Sequence, residues 1–460
     1  MLKRLIDLAL AALALMLAAI AIRAISLGVD FADAWQFPIL VAAPVLIACG
    51  IAFSFRRSPQ LRANLALLAF TSAGAVWSLE AVLQARPDPP PPSLEDVARA
   101  RGAAFDGREA EQVALDLRAE GVHAYVTVPA NTLRNPAERG GANIRINGRH
   151  VIPLANVRNR VVVHCNEGGR FTVFQTDERG YNNPPGLWTQ PVDIAGIGDS
   201  FVQGACVDSS ETLLAGVRRS VPRTLAVALD DFGPLSMLGA LKEYLPATRP
   251  QHVFWFYFEW NDLRDLSREL AVDILREYMS GPAAQQLEAN AAAIDTALLA
   301  FIDRELAAYT GPRKPAAPFP RSRRGAIVEW IKLTRLREAF SLDEMSTRVQ
   351  LCCDLRAFES ILREAKTTVE SWGGQLHFVY LPAALRYQRP MSRVLDDAIR
   401  ARRRVLRTVG NLGIPIVDVH RDFTAAGDPA RFFHGFRSHY NPEGYRVAAD
   451  AVLRHLERSR

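Results

Sequence analysis

The sequence predicts an α/β fold, with a parallel β-sheet covered by helices, preceded by three transmembrane helices. Two observations point to this arrangement. Three long apolar stretches with very few charges occupy the first 84 of the 460 residues. From Val192 onward, short β-rich runs alternate with longer helical segments, which is the pattern of a parallel sheet with crossover helices. The chain is long enough for a large folded domain in addition to a membrane anchor.

The composition indicates a folded protein and argues against nucleic acid as a partner. Hydrophobic residues make up 49% of the chain and charged residues 23%, as in ordinary folded proteins. The net charge is +6, but the Lys and Arg residues are scattered, without the interleaved aromatic residues of a nucleic-acid surface. The five cysteines form no C-x-x-C motif and no Cys/His cluster at zinc spacing. The cysteine pattern therefore argues against a structural metal site, and we also expect no cofactor.

The apolar stretches at the amino terminus are long enough to cross a membrane. Residues 5–22, 38–55 and 63–84 can each span a hydrocarbon core of about 30 Å at about 1.5 Å per residue. No small-residue cleavage site closes the first stretch, which favours an anchor over a cleaved signal peptide. The third stretch is diluted by polar residues such as Glu80, so an amphipathic or buried helix is the alternative there.

The distribution of basic residues predicts the orientation of these helices. Basic side chains precede the first stretch and fill the connection between the second and the third: Lys3, Arg4, Arg56, Arg57 and Arg62. By the positive-inside rule, the amino terminus is cytoplasmic and everything after the third stretch lies outside. The predicted location is a bacterial inner membrane, crossed several times, with the large domain in the periplasm.

A Pro-rich segment marks the predicted domain boundary. The anchor is expected over 1–86, the linker over 87–93 and the outer domain over 94–460. The linker contains PDPPPP, which favours a stiff polyproline II conformation. Within the outer domain, 262–372 is longer than one crossover helix, and we interpret it as a helical insertion. Its basic, Pro-rich part at 311–325 suggests either a lid or a membrane-facing surface.

Five short runs are the predicted strands of the sheet. Their continuous apolar character is typical of strands covered on both faces. They lie at 192–198, 224–229, 252–258, 375–381 and 414–419. Upstream, 109–121 is predicted to be helical, and 123–128 and 160–165 resemble short strands. These upstream strands either extend the sheet or form a small annex.

Residues suited to ester chemistry follow four of the predicted strands. Ser200, in a Gly-Asp-Ser motif, follows the first strand, where a strand-to-helix turn exposes the hydroxyl at a positive helix end. Gly233, Asn261 and His439 follow the second, third and fifth strands. The carboxyl ends of neighbouring strands in such a sheet share one crevice, so these residues are predicted to converge. His434 is the alternative base, but it lacks the Asn-Pro helix start that follows His439.

These residues carry a family resemblance. Gly198-Asp199-Ser200, Gly233, Asn261-Asp262 and His439, in this order, resemble the four blocks of the SGNH (GDSL) hydrolase superfamily. The segments DERGYNNPPG at 177–186 and GFRSHYNPEGY at 435–445 resemble membrane-anchored bacterial members. The resemblance implies a flavodoxin-like three-layer α/β/α sandwich. It also implies ester hydrolysis or acyl transfer without a metal.

The resemblance further implies a role for each residue of the site. Ser200 would be the nucleophile and His439 its base. The backbone N–H groups of Ser200 and Gly233, together with the Asn261 side chain, would form the oxyanion hole that binds the negative oxygen of the tetrahedral intermediate.

The sequence departs from the family pattern at two positions. Phe436 stands where the family usually has its acid, three residues before the His, and Glu259 replaces a usual Gly. A Ser-His dyad can still function, because the acid only orients and stabilises the imidazolium. A backbone carbonyl or another acid, such as Asp418 or Glu259, could orient the imidazole instead. Asp199 and Asp262 are further supporting candidates, and Glu259 could instead pair with an Arg or contact a substrate hydroxyl.

One cysteine pair is a candidate disulfide. If the outer domain faces an oxidising compartment, Cys165 and Cys206 are the pair to test. The adjacent Cys352 and Cys353 are expected to be free or packed, and Cys49 lies in the second apolar stretch.

Two functional hypotheses follow from the sequence. The first is a membrane-anchored serine esterase or O-acyltransferase that acts through an acyl-serine intermediate on O-acyl groups, chiefly acetyl groups, of a cell-surface polysaccharide. Its partners would be the lipid bilayer and an acylated glycan or other ester. The second is a non-catalytic glycan-binding or polysaccharide-assembly protein on the same scaffold. The order of the four motifs favours the first.

Overall fold

The computed structural model describes residues 2–26, 41–86, 93–100, 102–134, 143–281, 285–311, 327–328, 330–339, 355–387, 401–435 and 438–459. The chain divides into two compact units. The first, which we call the N-terminal unit, comprises Met1–Pro90 and Ala316–Arg348. The second, the sheet unit, comprises Pro91–Pro315 and Val349–Arg460. The predicted Pro-rich linker falls almost entirely outside the described residues.

The secondary structure alternates between helices and strands along the sheet unit. The α-helices are α1 (Leu2–Ser26), α2 (Ala43–Ser54), α3 (Pro59–Ala85), α4 (Leu94–Ala100), α5 (Ala110–Ala119), α6 (Ala130–Arg134), α7 (Ser200–Gln203), α8 (Leu213–Arg218), α9 (Pro234–Tyr244), α10 (Asp262–Glu269), α11 (Asp273–Arg276), α12 (Ala291–Ala307), α13 (Thr334–Ala339), α14 (Leu355–Glu370), α15 (Arg402–Asn411), α16 (Val419–Ala425) and α17 (Pro442–Ser459). The strands are β1 (Ala124–Val126), β2 (Arg145–Ile146), β3 (Arg149–His150), β4 (Val161–Val163), β5 (Val173–Gln175), β6 (Ile194–Gly198), β7 (Thr224–Ala228), β8 (His252–Phe258), β9 (Gln375–Leu381) and β10 (Ile416–Asp418). Short 3₁₀ helices lie at Leu187–Thr189, Glu277–Met279, Ala384–Tyr387 and Pro429–Phe432.

Two helices of the N-terminal unit are long and apolar enough to cross a membrane. They are Lys3–Ile22, within α1, and Pro59–Ala85, which is α3. The described helix in the second predicted span, α2, has only 12 residues, or about 18 Å at the helical rise. Two of the three predicted spans therefore have helices of sufficient length, and the count of three stays a prediction.

The main sheet has five parallel strands in the order β10-β9-β8-β6-β7. The five strands lie within the five predicted runs, so the predicted parallel α/β arrangement is confirmed. The chain adds β7 on one side of β6 and then β8, β9 and β10 on the other. The direction of winding thus reverses between β6 and β8, which is where open α/β sheets bind their ligands.

Both faces of this sheet are buried, which explains the unbroken apolar runs. Successive side chains of a strand point to opposite faces. On β8, alternate residues accordingly enter two different hydrophobic clusters: Val253, Trp255 and Tyr257 on one face, and Phe254, Phe256 and Phe258 on the other. Helices α9 and α14 cover the first face, and α8 and α17 the second.

The predicted helical insertion is shorter than expected. Helix α14 packs against β9 and α9, so it is the crossover helix that leads into β9. The segment 316–348 belongs to the N-terminal unit rather than to the sheet unit. The prediction assigned both α14 and the segment 316–348 to one insertion because both have the composition of helices. Composition alone does not show which surface a helix packs against.

The upstream strands form a separate annex. Strand β4 pairs with β1 in parallel and with β5 in antiparallel fashion, giving a three-stranded sheet distinct from the main one. The turn between β4 and β5 contains Gly169 with φ +99°, where an added Cβ would lie 2.4 Å from the carbonyl oxygen of Ala104. Only glycine fits this turn.

A disulfide joins the annex to the main sheet. Cys165, just after β4, is bonded to Cys206, just after α7, with a Cα–Cα distance of 5.1 Å. The expected pair is therefore present. Cys352 and Cys353 lie outside the described residues.

Candidate active site

Ser200 lies on a sharp turn at the carboxyl end of β6. Strand β6 ends at Gly198, and the Asp199 carboxylate accepts the N–H of Phe201 at 3.0 Å, which caps the short helix α7. An added Cβ on Gly198 would lie 2.4 Å from Val202 Cγ2, so the turn requires glycine. The chain turns so tightly that the Ser200 side chain stands at the edge of the sheet.

His439 is in hydrogen-bonding contact with this serine. The imidazole Nε2 lies 2.8 Å from Ser200 Oγ. His439 precedes α17, and the ring of Phe201 packs against it with centroids 4.8 Å apart. The structure thus brings together the two residues that the sequence predicts as nucleophile and base, although 239 positions separate them.

The acid beside His439 is Glu167, which sequence reasoning missed. Its Oε1 lies 3.0 Å from His439 Nδ1, and its Oε2 accepts the backbone N–H of His439 at 2.6 Å. Glu167 lies on the turn between β4 and β5, outside the segment that carries the family motifs. The sequence did contain one signal for Glu167, the candidate disulfide between Cys165 and Cys206. This bond brings the residues next to Cys165, including Glu167, beside the nucleophile. Phe436, at the usual acid position, lies outside the described residues.

The surrounding carboxylates control the protonation of His439. Burial alone would lower its pKa, but the charge and hydrogen bond of Glu167, with smaller contributions from Asp230 and Asp199, raise it to about 9. Burial likewise opposes ionisation of Glu167, but the attraction of His439 prevails and lowers the pKa of this carboxyl. The pair is therefore arranged to favour an imidazolium beside a carboxylate.

Asn261 lies at the same edge of the sheet, after β8. Its side-chain Nδ2 donates to Asp199 Oδ2 at 3.3 Å, and the residue lines the same cavity as Ser200. Burial raises the pKa of Asp199 to about 7. The amide of Asn261 has two hydrogens, so one can bind Asp199 while the other serves a ligand.

Gly233 does not provide the predicted donor. Its N–H is already bound to Glu269 Oε1 at 3.0 Å, and Glu269 also accepts the N–H of Leu235 at 2.8 Å. Gly233 is the residue that precedes the first turn of α9, and Glu269 neutralises the positive end of this helix. The prediction was wrong because it inferred from the missing Cβ that the backbone N–H would be free to bind a ligand. The missing Cβ of a glycine can equally make room for a buried carboxylate, which here is Glu269.

The backbone N–H of Asp231 is better placed for a ligand. Asp231 lines the cavity with Ser200, whereas Gly233 does not. Its φ is +61°, a left-handed conformation that is unusual for a residue other than glycine. Within the described part of the chain, its N–H has no hydrogen-bond acceptor, and the same holds for the N–H of Ser200.

The remaining supporting candidates bind other groups and make no hydrogen bond with the imidazole. Glu259 is fully buried and paired with Arg386, and it also accepts the N–H of Ala383 at 2.7 Å. Asp262 accepts the N–H of Phe258 at 3.1 Å, and burial raises the pKa of its carboxyl. Asp418 is paired with Arg402 and Arg421. Of the two alternatives for Glu259, the arginine pair is the one observed.

A cavity of about 370 Å³ opens over Ser200 and His439. Its lining combines apolar side chains with charged side chains of both signs. The apolar residues include Phe201, Ala205, Phe258, Ala383, Ala384 and Leu385, and the charged residues are Asp230, Asp231, Arg264, Asp265 and Arg268. The cavity therefore offers apolar contacts to an acyl group and polar groups to an alcohol. Cys165, Cys206 and His439 are close together here, but disulfide-bonded sulfur atoms offer no thiolate to a metal.

Comparisons with known proteins find distant similarity to solved structures. No protein-family model matches the chain, and no curated protein matches it in sequence. Among solved structures, it is similar to a putative lipolytic protein of the G-D-S-L family from Desulfitobacterium hafniense, at 12% identity and TM-score 0.32, over 57% of this chain and 99% of that one. It is similar to a lipase/acylhydrolase from Enterococcus faecalis, at 11% identity and TM-score 0.32, over 58% and 96%. It is also similar to an acetylxylan esterase from Geobacillus stearothermophilus, at 11% identity and TM-score 0.31, over 58% and 94%.

Such low identities and TM-scores carry no argument about activity. The functional conclusion therefore depends on the geometry of the site.

Proposed function

We propose that this protein is a serine esterase that forms an acyl-serine intermediate. The observation that carries the proposal is the continuous chain from Glu167 through His439 to Ser200, with contacts of 3.0 Å and 2.8 Å on the two imidazole nitrogens. A carboxylate, an imidazole and a hydroxyl in this order form the arrangement that activates a serine nucleophile.

The proposed reaction has two halves. Ser200 Oγ attacks the acyl carbonyl while His439 Nε2 takes its proton, and the carbonyl oxygen becomes an oxyanion. The N–H groups of Ser200 and Asp231 and the amide of Asn261 are the proposed donors to that oxygen. The imidazolium, stabilised by Glu167, then gives its proton to the departing alcohol. In the second half, water or another hydroxyl attacks the acyl carbonyl and gives its proton to His439. The imidazolium returns this proton to Ser200 Oγ as the bond between the acyl group and the serine breaks.

The substrate class is inferred from the cavity and from the two apolar helices. A cavity lined by both apolar and charged side chains suits a small acyl group esterified to a polar alcohol such as a sugar. Helices α1 and α3, which are long enough to cross a bilayer, support a membrane-anchored enzyme. We propose O-acyl groups, chiefly acetyl groups, of a cell-surface polysaccharide as the substrate, with the sheet unit in the periplasm.

Covalent labelling of the full-length protein in detergent tests the proposal. A fluorophosphonate probe should label the wild type, and Ser200→Ala should abolish both labelling and hydrolysis of aryl acetates. Ser210→Ala is the matched control, because Ser210 is exposed and does not line the cavity. Labelling that persists in Ser200→Ala, or a wild type that neither reacts with the probe nor hydrolyses esters, would refute the proposed activity.

The acceptor in the second half distinguishes hydrolysis from acyl transfer. Both reactions share the acyl-serine and differ in whether water or a sugar hydroxyl attacks it. Incubation with an acetylated oligosaccharide and an unacetylated acceptor separates them: free acetate indicates hydrolysis, and acetylated acceptor indicates transfer. Glycan binding that survives Ser200→Ala and His439→Ala, without turnover in the wild type, would instead support the non-catalytic alternative.

A further inference from the structure

Part of the N-terminal unit comes from a distant part of the chain. Within that unit, Trp330 donates its indole N–H to the carbonyl oxygen of Trp77 on α3 at 2.9 Å, and the two rings lie 6.4 Å apart between centroids. Helix α13 follows and packs against α3. The segment around Trp330 is therefore attached to the C-terminal third of α3.

Glu80 explains why this attachment is specific. Its side chain lies on α3 and is fully buried, with Oε1 accepting the N–H of Arg335 at 2.9 Å and Oε2 that of Leu336 at 2.8 Å. These N–H groups belong to the first turn of α13, which has no intrahelical acceptor for them. A carboxylate in an otherwise apolar helix is thus shielded by N–H donors from a remote segment.

The turn that precedes α13 leaves its apolar side chains exposed. The exposed fractions of Ile327, Val328, Trp330 and Ile331 are 57%, 44%, 38% and 57%. Within one helical turn of Trp77 and Glu80, α3 also exposes apolar side chains: Val76, Leu79 and Val82. An exposed apolar surface of this kind on a folded protein indicates contact with another apolar phase.

We propose that Ile327, Val328, Trp330 and Ile331 lie in the interface of a lipid bilayer, beside the C-terminal end of α3. Three observations select lipid as the occupant. The exposed turn is bound through Trp330 to α3, which is long and apolar enough to cross a membrane. Two tryptophans meet near the end of that helix, where indole rings concentrate in membrane proteins. The Glu80 carboxylate of α3 is covered by protein and so does not face the acyl chains.

This inference goes beyond the proposed esterase function and does not depend on it. The chain would then contact the membrane at α3 and again at the exposed turn before α13.

Photo-crosslinking in a membrane tests the proposal. The full-length protein, with benzoylphenylalanine replacing Ile331, is placed in vesicles of phosphatidylcholine and phosphatidylglycerol and irradiated. Benzoylphenylalanine in place of Phe70, which is 80% exposed on α3, is the positive control. Benzoylphenylalanine in place of Val173, an exposed apolar residue of the sheet unit, is the matched negative control.

We expect lipid adducts by mass spectrometry at positions 331 and 70 and none at 173. Adducts at 70 but not at 331 would overturn the proposal, as would a crosslink from 331 to a second copy of the protein. Absence of adducts at both 331 and 70 would overturn it as well, because α3 would then not lie in the bilayer.

A second variant tests the role of Glu80. Glu80→Ala removes the acceptor for the first turn of α13, and we expect it to lower the yield of lipid adduct at 331 while leaving the yield at 70 unchanged. Glu80→Gln, which keeps one acceptor oxygen, should restore part of the yield. An unchanged yield at 331 in Glu80→Ala would contradict the attachment that we infer.

Discussion

At His439 the charge of Glu167 outweighs the effect of burial, and this sets the pH at which the serine can be activated. The imidazole accepts the serine proton only when it is neutral. Because the pKa of His439 is raised to about 9, most of the free enzyme holds an imidazolium at pH 7. We expect kcat/KM to rise with pH and to level off above about pH 9, as measured with an aryl acetate. A plateau already reached at pH 7 would contradict this balance of charges.

The acid can be tested with one isosteric substitution. Glu167→Gln removes the charge that stabilises the imidazolium, so the midpoint of the pH profile should move to lower pH. The rate at the plateau should fall by roughly 10²–10⁴-fold, as when a triad acid loses its charge elsewhere. Asp418→Asn is a suitable control, since Asp418 pairs with Arg402 and Arg421 and not with His439. A pH profile unchanged by Glu167→Gln would show that Glu167 does not act through His439.

Gly233 is predicted to matter for stability. In Gly233→Ala the new Cβ would lie 2.5 Å from Glu269 Oε2 and 2.9 Å from Asp265 Cβ. Displacing the buried Glu269 weakens its bonds to the first turn of α9, and we expect a loss of about 1–3 kcal/mol in the free energy of unfolding. The measurement is the unfolding midpoint in urea. Gly410→Ala is the control, because an added Cβ there meets nothing within 4 Å.

Among the elements, the turn between β4 and β5 depends on its disulfide. Cys165 lies two residues before Glu167, so the bond to Cys206 fixes the acid beside the α7 turn. Replacing both cysteines with Ser should lower the rate and shift the pH profile as Glu167→Gln does. It should also cost about 2–4 kcal/mol of stability. Cys49→Ser, at an exposed free cysteine of the N-terminal unit, is the control. A double variant with unchanged rate would mean that other contacts hold the turn.

The strands of the main sheet were predictable with their limits, whereas the annex was predicted only in part. The predicted runs at 123–128 and 160–165 contain β1 and β4, but β5 was not predicted. Runs such as HVFWFYF at 252–258 are apolar without interruption because both faces of the sheet are covered. The limits of such strands can therefore be recognised from the sequence, where the apolar run begins and ends. The strands β1, β4 and β5 have only three residues each, too few to show a period. The same reason explains why Glu167 was missed. Ser200, Asn261 and His439 follow long strands of the main sheet, whereas Glu167 follows a three-residue strand and contacts His439 only through tertiary packing.

On the scale of the whole molecule, the orientation across the membrane can be measured. The distribution of Lys and Arg predicts that the connection between α2 and α3 is cytoplasmic and the sheet unit periplasmic. In intact bacteria, a membrane-impermeant maleimide should label Ser210→Cys and not Arg57→Cys. Both variants are made in a chain without the thiols of Cys49, Cys352 and Cys353. Labelling at 57 but not at 210 would reverse the predicted orientation.

The placement of Glu167 also determines how the proposed active site could be moved to another protein or shortened. A polypeptide beginning at β6 would retain the serine, the histidine and the asparagine, yet it would lack Glu167, the carboxylate that contacts Nδ1 of the imidazole. Any graft of the site onto another scaffold must therefore include the β4–β5 hairpin and both cysteines. A comparison restricted to the segment after residue 192 would classify the protein as lacking an acid, although it has one.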